Sequence, residues 1–321
     1  MKRVIITGGN GFIGRHLVKR LLTYSKCCVV LIANTSNLMD RRLQEKMPMT
    51  FYATDVRDRE AISNIFRDEE ADTCVHLAAK ISVADSIKKP DETMDINVKG
   101  TLNILDACHN SGVKNFVFAS SAAVYGDVKE LPISENQKLR PLSPYGTSKM
   151  LAEQHVLSFK KLNKIQNTIS LRIFNVYGRG QTSESDVITK FATRLSKGLP
   201  PIIYGDGKHT RDFISVDDVT ESILLSIRAM EEPKSYYKDN LNSPPVFNVG
   251  TGTATSIKEL AKKMIIISGL ELNPIYEKAS HDSKVILHSY ANMDKAKNAL
   301  DFVAKKDFET GLREIIAPVH L

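Results

Sequence analysis

The sequence is poor in cysteine and contains no long apolar run. No pair of its four cysteines has the two-residue gap of a zinc knuckle or a redox motif; they are Cys27, Cys28, Cys74 and Cys108. No segment approaches the ~18 consecutive apolar residues of a membrane span. Glycines interrupt the apolar run after the basic start, where a signal peptide would continue. We therefore predict a cytoplasmic protein with no metal site and no membrane contact.

The sequence also lacks internal repeats, low-complexity segments and a strong excess of one charge. Its 44 basic and 37 acidic residues leave a formal charge of +7, and 42% of its 321 residues are hydrophobic. This composition excludes a disordered, fibrous or disulfide-based chain. The cluster Lys160, Lys161 and Lys164 has no interleaved aromatic residue, which favours a solvated helix face over a nucleic-acid site. The basic balance suits a small phosphorylated substrate.

Short β-branched runs alternate with helical segments through about residue 175, which is typical of parallel strands joined by helical crossovers. The runs are residues 4–7, 28–32, 74–78, 115–120 and 169–174. We predict an α/β fold with a doubly wound, Rossmann-like parallel sheet and a smaller carboxyl-terminal α/β lobe. The boundaries are 1–175 and 176–321, with some later segments returning to the first domain. Ligands of such sheets bind at the carboxyl ends of the strands.

A glycine pattern follows the first strand and opens an amphipathic helix. Gly8 permits a tight turn, Gly11 lets the backbone approach a pyrophosphate, and Gly14 allows close packing of helix on sheet. The positive end of the helix then faces the anion. We predict a dinucleotide site in this loop, which includes Phe12 and Ile13; an ordinary glycine-rich turn is the alternative.

The end of the second strand lacks the acid that commonly holds the adenosine ribose. Ala33 and Asn34 occupy this place, with Arg41 and Arg42 downstream. Asn34 is able to hydrogen-bond a ribose hydroxyl, but no acid there repels a 2′-phosphate. We predict NAD as the cofactor, with NADP as the alternative.

Two further segments are candidates for the cofactor site. Asp55 and Val56 follow an apolar stretch and are placed to hold the adenine amino group and to pack on its ring; a turn and helix cap is the alternative. Residues 76–79 close the next strand with small side chains. Such residues let the backbone lie against a ribose or nicotinamide, although they also suit tight packing.

Tyr145 and Lys149 lie four residues apart behind Pro144, at a predicted helix start, and so project from one helix face. An ammonium near a phenol favours the phenolate and lowers the tyrosine pKa, which suits proton exchange with a sugar hydroxyl. Ser121 ends the preceding strand, 24 residues before Tyr145. The three side chains are predicted to converge on the carboxyl edge of the sheet.

Ordered motifs over nearly the whole chain resemble the extended short-chain dehydrogenases/reductases, specifically nucleotide-sugar epimerases of the UDP-glucose 4-epimerase type. The motifs are TGGNGFIG at 7–14, DVRD at 55–58, HLAA at 76–79, NVKGTLNIL at 97–105, SSAAVYG at 120–126, SPYGTSK at 143–149, RIFNVYG at 172–178, YGDGKHTRDFISVDDV at 204–219 and FNVGTGTATSIKELA at 247–261.

The resemblance implies roles for particular residues. Tyr145 is the general base and acid, Lys149 tunes it and binds the nicotinamide ribose, and Ser121 contacts the substrate hydroxyl. The implied lining of the cofactor site comprises Leu77, Ala78, Ala79 and Asn97. The implied diphosphate contacts are Asn175, Tyr204 and Arg211, with Val187 beside them. A homodimer with one site per subunit is also implied.

The resemblance further narrows the reaction. Sugar dehydratases and decarboxylating relatives place acids directly after the catalytic hydroxyl residue, whereas Ala122 and Ala123 stand there in this chain. This leaves NAD-dependent 4-epimerisation of a UDP-hexose through a 4-keto sugar as the hypothesis. A 4-keto-sugar reductase or dehydratase is the first alternative, and a non-catalytic cofactor-sensing protein is the second.

The carboxyl-terminal stretch departs from the family pattern. Relatives often carry an arginine clamp before an HSYAD-like segment; here HSYAN at 288–292 is present, but the preceding residues 278–287, KASHDSKVIL, contain no arginine. Lys278 or Lys284 is the candidate substitute, although a lysine lacks the guanidinium fork. Ser289 falls where relatives carry a gate beside the sugar's second carbon. Its small side chain leaves room for an N-acetyl group, so UDP-N-acetylhexosamines are alternative substrates.

Overall fold

The main body of the protein is a seven-stranded parallel sheet in the order β11-β6-β5-β4-β1-β2-β3. The computed structural model describes residues 2–24, 27–34, 49–182, 186–232, 244–278 and 286–316. The strands in these ranges are β1 (Lys2–Thr7), β2 (Cys27–Ala33), β3 (Met49–Ala53), β4 (Thr73–His76), β5 (Asn115–Ser121), β6 (Asn167–Ile173), β7 (Asn175–Tyr177), β8 (Ile202–Tyr204), β9 (Thr210–Arg211), β10 (Phe213–Ser215), β11 (Val246–Val249), β12 (Thr255–Ser256) and β13 (Ile275–Glu277).

Helices cover both faces of this sheet. The helices in the described ranges are α1 (Phe12–Tyr24), α2 (Arg59–Glu69), α3 (Val83–Lys88), α4 (Pro90–Met94), α5 (Gly100–Asn110), α6 (Pro144–Lys161), α7 (Val187–Leu195), α8 (Val216–Glu231), α9 (Ile257–Ser268), α10 (Asp294–Leu300) and α11 (Phe308–Ile315). A π-helical turn, Asp95–Lys99, precedes α5, and a 3-10 turn, Ala122–Val124, follows β5.

The alternation of side chains along the strands builds one core on each face of the sheet. Val4 and Ile6 of β1 enter the core beneath α1 and α8, whereas Ile5 enters the core beneath α2, α5 and α6. All three side chains are nearly or fully buried. The predicted doubly wound α/β fold is therefore confirmed.

The five predicted runs correspond to β1, β2, β4, β5 and β6, and two more strands complete the sheet. β3 lies at one edge and is only half-buried, so its sequence lacks a continuous apolar run. β11 lies at the other edge, paired with β6, although it follows β6 by more than 70 residues. The later helices α8 and α10 pack on the same layer as α1.

The remaining late segments form a smaller lobe with three two-stranded sheets, β10-β7, β12-β9 and β13-β8. Its core lies between α7, α9 and α11 and includes Phe191, Met264 and Leu312. In the part of the chain that the structure describes, no helix combines the length and apolar character needed to cross a membrane.

A buried carboxylate ties the lobe's segments together. Asp212 lies between β9 and β10 and is fully buried. Its carboxylate accepts hydrogen bonds from the Thr251 N–H and hydroxyl (2.7 and 2.6 Å), the Gly252 N–H (2.9 Å) and the Ala291 N–H (3.1 Å). Burial raises the pKa of Asp212, and these donors lower it in part. One side chain therefore holds three chain segments in place.

We expect Asp212→Ala to lower the free energy of unfolding by about 3 kcal/mol or more, because it strands several buried donors. Urea unfolding monitored by circular dichroism measures the change. The control is Asp206→Ala, since Asp206 is exposed and accepts the Lys208 N–H (2.9 Å). Equal stabilities of the Asp212 and Asp206 variants would contradict the assigned role.

Candidate active site

A cleft of about 700 Å³ opens at the carboxyl edge of the large sheet, where the strand order reverses between β1 and β4. Ligands of open α/β sheets bind at such a reversal. Most of the predicted site residues line this cleft. They are Gly8, Gly11, Phe12, Ile13, Gly14, Asn34, Asp55, Val56, Leu77, Ala78, Ala79, Ser121, Tyr145, Lys149 and Asn175.

The glycine loop connects β1 to α1 at one wall of the cleft. Gly8 has φ +70°, and a Cβ added there would lie 2.7 Å from the Ala78 nitrogen. A Cβ on Gly14 would lie 2.4 Å from the Gly8 carbonyl oxygen. The loop therefore requires glycine at both positions, because any side chain would push α1 away from the sheet. The amino terminus of α1 faces the cleft, as anion binding requires.

Asp55 follows β3 and faces the cleft beside Asn34. Its carboxylate accepts two bonds from the Arg57 guanidinium (3.0 and 2.7 Å) and one from the Arg57 N–H (2.9 Å). The side-chain pair holds the Asp55 pKa below its usual range. Asp58 rather than Asp55 caps α2, so the helix-cap interpretation of Asp55 is wrong. Arg41 and Arg42 lie outside the described residues.

Helix α6 brings the reactive side chains to the cleft. The Ser143 hydroxyl caps α6 by accepting from the Gly146 N–H (3.1 Å), and Pro144 occupies the first turn. Tyr145 and Ser121 both line the cleft, and their side chains lie close enough to interact. The Lys149 ammonium donates to the Ala119 carbonyl (2.7 Å) and lies 4.9 Å from the centre of the Phe118 ring. The predicted convergence of the three side chains is thus present.

Burial dominates the ionisation of Tyr145 and Lys149. It lowers the pKa of Lys149 to about 7. Burial also raises the pKa of the Tyr145 phenol, and the interaction with Ser121 lowers it in part. The prediction that Lys149 lowers the Tyr145 pKa is therefore wrong, because among the protein's own groups burial decides the direction of the shift. Burial penalises the phenolate and also draws the lysine toward its neutral form.

Asn97, predicted to line the cofactor site, lies behind the cleft wall instead. It is 2% exposed in the π-helical turn. Its amide donates to the Ser148 hydroxyl (2.8 Å) and the Lys80 carbonyl (3.0 Å) and accepts from the Lys80 N–H (2.8 Å). Asn97 thus fixes the backbone at Lys80, which does line the cleft.

The other predicted substrate residues lie outside the cleft lining, in the smaller lobe. Val187 begins α7 and packs on the lobe core, whereas Tyr204 ends β8 and is 55% exposed. Arg211 and Ser289 are neighbours, since the Arg211 guanidinium and the Ser289 N–H both donate to the Thr210 carbonyl (2.8 and 3.2 Å). Burial lowers the pKa of Arg211, and the nearby Asp127 opposes that shift.

Lys278, a candidate substitute for the missing arginine, follows β13 and is exposed. Lys284 lies outside the described residues.

Several polar residues of the cleft escaped the sequence analysis. They are Asn10, Thr54, Lys80, Glu92, Ser120, Gln181 and Asp186. Thr54 and Lys80 lie shortly after β3 and β4, so the carboxyl-edge rule would have found them. The Lys80 ammonium pairs with the Glu92 carboxylate at 2.6 Å across the cleft mouth. Asp186 caps α7, and burial raises its pKa.

The profile of the NAD dependent epimerase/dehydratase family matches residues 4–250. A putative UDP-glucose 4-epimerase of Methanocaldococcus jannaschii is 34% identical over 98% of this chain and 97% of its own length. The UDP-glucose 4-epimerase of Lactobacillus helveticus is 33% identical over 84% of this chain and 83% of that protein.

Solved structures agree. The Thermotoga maritima UDP-glucose 4-epimerase with UDP-glucose superposes with a TM-score of 0.87 at 32% identity, covering 98% of this chain and 97% of that one. A UDP-N-acetylglucosamine 4-epimerase of Methanobrevibacter ruminantium gives 0.85 at 30% identity with the same coverage. The resemblance predicted from the motifs is confirmed, and the chain belongs to the NAD-dependent epimerase/dehydratase family.

Proposed function

We propose that this protein is a UDP-hexose 4-epimerase that uses NAD. The observation that carries the proposal is the convergence of Ser121, Tyr145 and Lys149 beside the glycine loop, within one cleft. Ala122 and Ala123 follow the serine, so the acid that elimination of water requires is missing from that turn. Epimerisation needs only a group that takes a proton from the 4-hydroxyl and returns it.

The cofactor would be held by residues along the whole cleft. The glycine loop and the amino terminus of α1 would face the pyrophosphate, and Asn34 would face the adenosine ribose. Asp55 and Val56 would hold the adenine, whereas Leu77, Ala78 and Ala79 would lie against the nicotinamide half. Asn97 acts indirectly by fixing the backbone at Lys80. Bound in this cleft, NAD would supply a reversible hydride acceptor for C4 of the sugar, so the reaction would have no net redox change.

The chain's own residues then move the proton. Tyr145 takes the proton of the sugar 4-hydroxyl and later restores it, and Ser121 holds the substrate oxygen. Lys149, whose pKa of about 7 leaves both protonation states available at neutral pH, tunes the phenol and binds the ribose. A positive nicotinamide ring held here would favour the phenolate, against the burial that raises the Tyr145 pKa.

The smaller lobe would bind the sugar nucleotide. Asn175 lies in the cleft, and Arg211 offers bidentate donors to the diphosphate, with Val187 and Tyr204 alongside. Ser289 beside Arg211 leaves space at the sugar's second carbon, so N-acetylated substrates remain in the proposal. This division assigns residues 1–175 to the cofactor and 176–321 to the substrate, with late segments such as β11 in the first sheet.

The test is incubation of the pure protein with UDP-galactose, UDP-glucose and their N-acetylamino forms, followed by NMR. Interconversion at C4 without added cofactor is the expected result. A requirement for added NADPH or release of a keto product would replace the proposal by a 4-keto-reductase or a dehydratase. NAD retention without any interconversion would favour a cofactor-sensing protein.

A substitution in the glycine loop tests the cofactor site. We expect Gly14→Ala to weaken NAD binding by about 10- to 100-fold, because a Cβ 2.4 Å from a backbone oxygen costs on the order of 1–3 kcal/mol of overpacking. Calorimetric titration with NAD measures the change. The control is Gly269→Ala, which strains a positive φ of 73° at the end of α9 but meets no atom within 4 Å. Equal affinities in the two variants would contradict the assignment.

We also propose a cytoplasmic homodimer. Exposed apolar side chains on adjacent helices support a dimer: Ile87 of α3 is 63% exposed and Leu151 of α6 is 39% exposed. Four cysteines in 321 residues are too few for a disulfide framework and fit a reducing compartment. Sedimentation equilibrium should give twice the chain mass of 35.8 kDa, and a single-chain mass at micromolar concentration would contradict the dimer.

A further inference from the structure

A buried ion pair lies directly behind the reactive side chains. Glu153 of α6 is fully buried and Arg172 of β6 is 5% exposed. The guanidinium donates to both carboxylate oxygens, with a shortest distance of 2.6 Å from Nη2 to Oε1. None of the roles assigned above uses this pair.

Further polar groups complete the pair's hydrogen bonds. Arg172 Nη1 donates to the Tyr125 hydroxyl (3.1 Å) and the Glu135 carbonyl (3.0 Å), and the Tyr125 hydroxyl donates to Asn248 Oδ1 (2.6 Å). β6, β11 and the loop after β5 are thereby joined to α6. Replacing a buried pair by apolar residues is often neutral or stabilising, so such a pair is weak evidence for stability alone. The position of the pair in the fold therefore explains its presence better than a contribution to stability does.

The Glu153 carboxylate also makes one of three contacts between α6 and the end of β5. Tyr145, Lys149 and Glu153 are spaced by four residues and therefore share one face of the helix. They meet the last three residues of the strand: Tyr145 interacts with Ser121, Lys149 donates to the Ala119 carbonyl, and Glu153 accepts from the Ser120 hydroxyl at 2.6 Å. The third contact alone joins two buried side chains and is anchored from the next strand.

We propose that Glu153, held by Arg172, is a positioning residue that fixes α6 against the end of β5 and so sets the contact between Tyr145 and Ser121. The proposal rests on the roles proposed above for Tyr145 and Ser121. The Lys149 contact is not sufficient for this purpose, because its partner is a backbone carbonyl and the ammonium is assigned to the ribose.

Arg172 also controls the charge that Lys149 meets on its own helix. Glu153 lies one helical turn from Lys149, and an uncompensated carboxylate there would attract the ammonium. The groups facing Glu153 are Ser120 from β5, Arg172 from β6 and Lys149 on its own helix, with Tyr125 and Glu135 behind the guanidinium. Arg172 neutralises the carboxylate through the ion pair, and burial lowers the Lys149 pKa.

The test compares two variants with a matched control. Glu153→Gln removes the charge, and Ser120→Ala cuts only the contact with β5 while the ion pair stays. Positioning predicts that both lower kcat for sugar interconversion by about 10- to 100-fold with KM and NAD content near those of the native protein. The control is Asp218→Asn, because Asp218 is a buried carboxylate that accepts from the Lys305 and Lys306 N–H groups far from Tyr145. It should lose stability and keep kcat.

Native kcat values in Ser120→Ala and in folded, NAD-loaded Glu153→Gln would overturn the proposal, since the pair would then serve stability alone. A second readout does not depend on epimerase activity. The phenolate absorbance of Tyr145, taken as the difference from a Tyr145→Phe version of each protein, is titrated with pH. Loss of the Ser121 interaction should move this titration to higher pH in Ser120→Ala, where the ion pair stays intact, since that interaction lowers the phenol pKa. An unmoved titration contradicts positioning, whereas an inactive native protein contradicts only the proposed function.

Discussion

Replacement of Tyr145 by phenylalanine is expected to lower kcat for UDP-hexose interconversion by about 10²- to 10⁴-fold, the usual contribution of a positioned general acid and base. The ring remains to pack in the cleft, but the hydroxyl that exchanges a proton with the sugar is lost. The glycine loop and the residues after β3 and β4 are untouched, so NAD binding should persist. The loss should therefore appear in kcat rather than in cofactor content.

Interconversion rates by NMR and the NAD content after denaturation measure this effect. The matched control is Tyr52→Phe. Tyr52 lies on β3, and its hydroxyl donates to Glu69 Oε1 at 2.7 Å. That variant should retain native kcat. Activity within tenfold of the native value in Tyr145→Phe would show that another group moves the proton.

Replacement of Lys149 by methionine is expected to abolish most activity and yet to stabilise the folded protein near neutral pH. Lys149 is 4% exposed, and burial lowers its pKa from 10.5 to about 7. Below pH 7 the folded protein holds a buried ammonium, which lowers its stability. In the unfolded chain the same ammonium is exposed to water. The methionine side chain fills similar space without that cost. The hydrogen bond to Ala119 and the Phe118 ring offset part of it.

The sign of the pH dependence follows from proton counting. Between the folded pKa of about 7 and the unfolded value of 10.5, the unfolded chain binds the extra proton, so the native protein gains stability as pH rises. The advantage of Lys149→Met is therefore largest below pH 7. It should shrink by about 2 to 3 kcal/mol between about pH 6 and pH 9.

Urea unfolding of both proteins across this range, at matched NAD occupancy because bound ligand adds stability, measures the difference. The pH series is its own control, since groups common to both proteins cancel in the comparison. A difference that stays constant with pH would contradict the buried, titrating lysine. A difference that grows with pH would reverse the assigned sign.

Local sequence determined the parts of this protein that depend on neighbouring residues. The alternation of apolar runs and helices predicts a parallel sheet, and the spacing of Gly8, Gly11 and Gly14 predicts the loop after β1, where only glycine fits at positions 8 and 14. Tyr145 and Lys149 four residues apart, and Ser121 at a strand end, predict a common site since parallel strands end at one edge. The four-residue spacing from Lys149 to Glu153 likewise indicates that these two side chains share one helix face.

Only the tertiary structure decided which partners these residues have. Glu153 and Arg172 meet across 19 residues of sequence, and Asp212 binds Ala291 across 79, separations with no local periodicity to reveal them. Asn97 lies behind the cleft wall because its amide is needed at Lys80. The ionisation of Tyr145 was misjudged for the same reason: a spacing indicates which charges are close, whereas burial, which decides the pKa here, is a property of the packed fold.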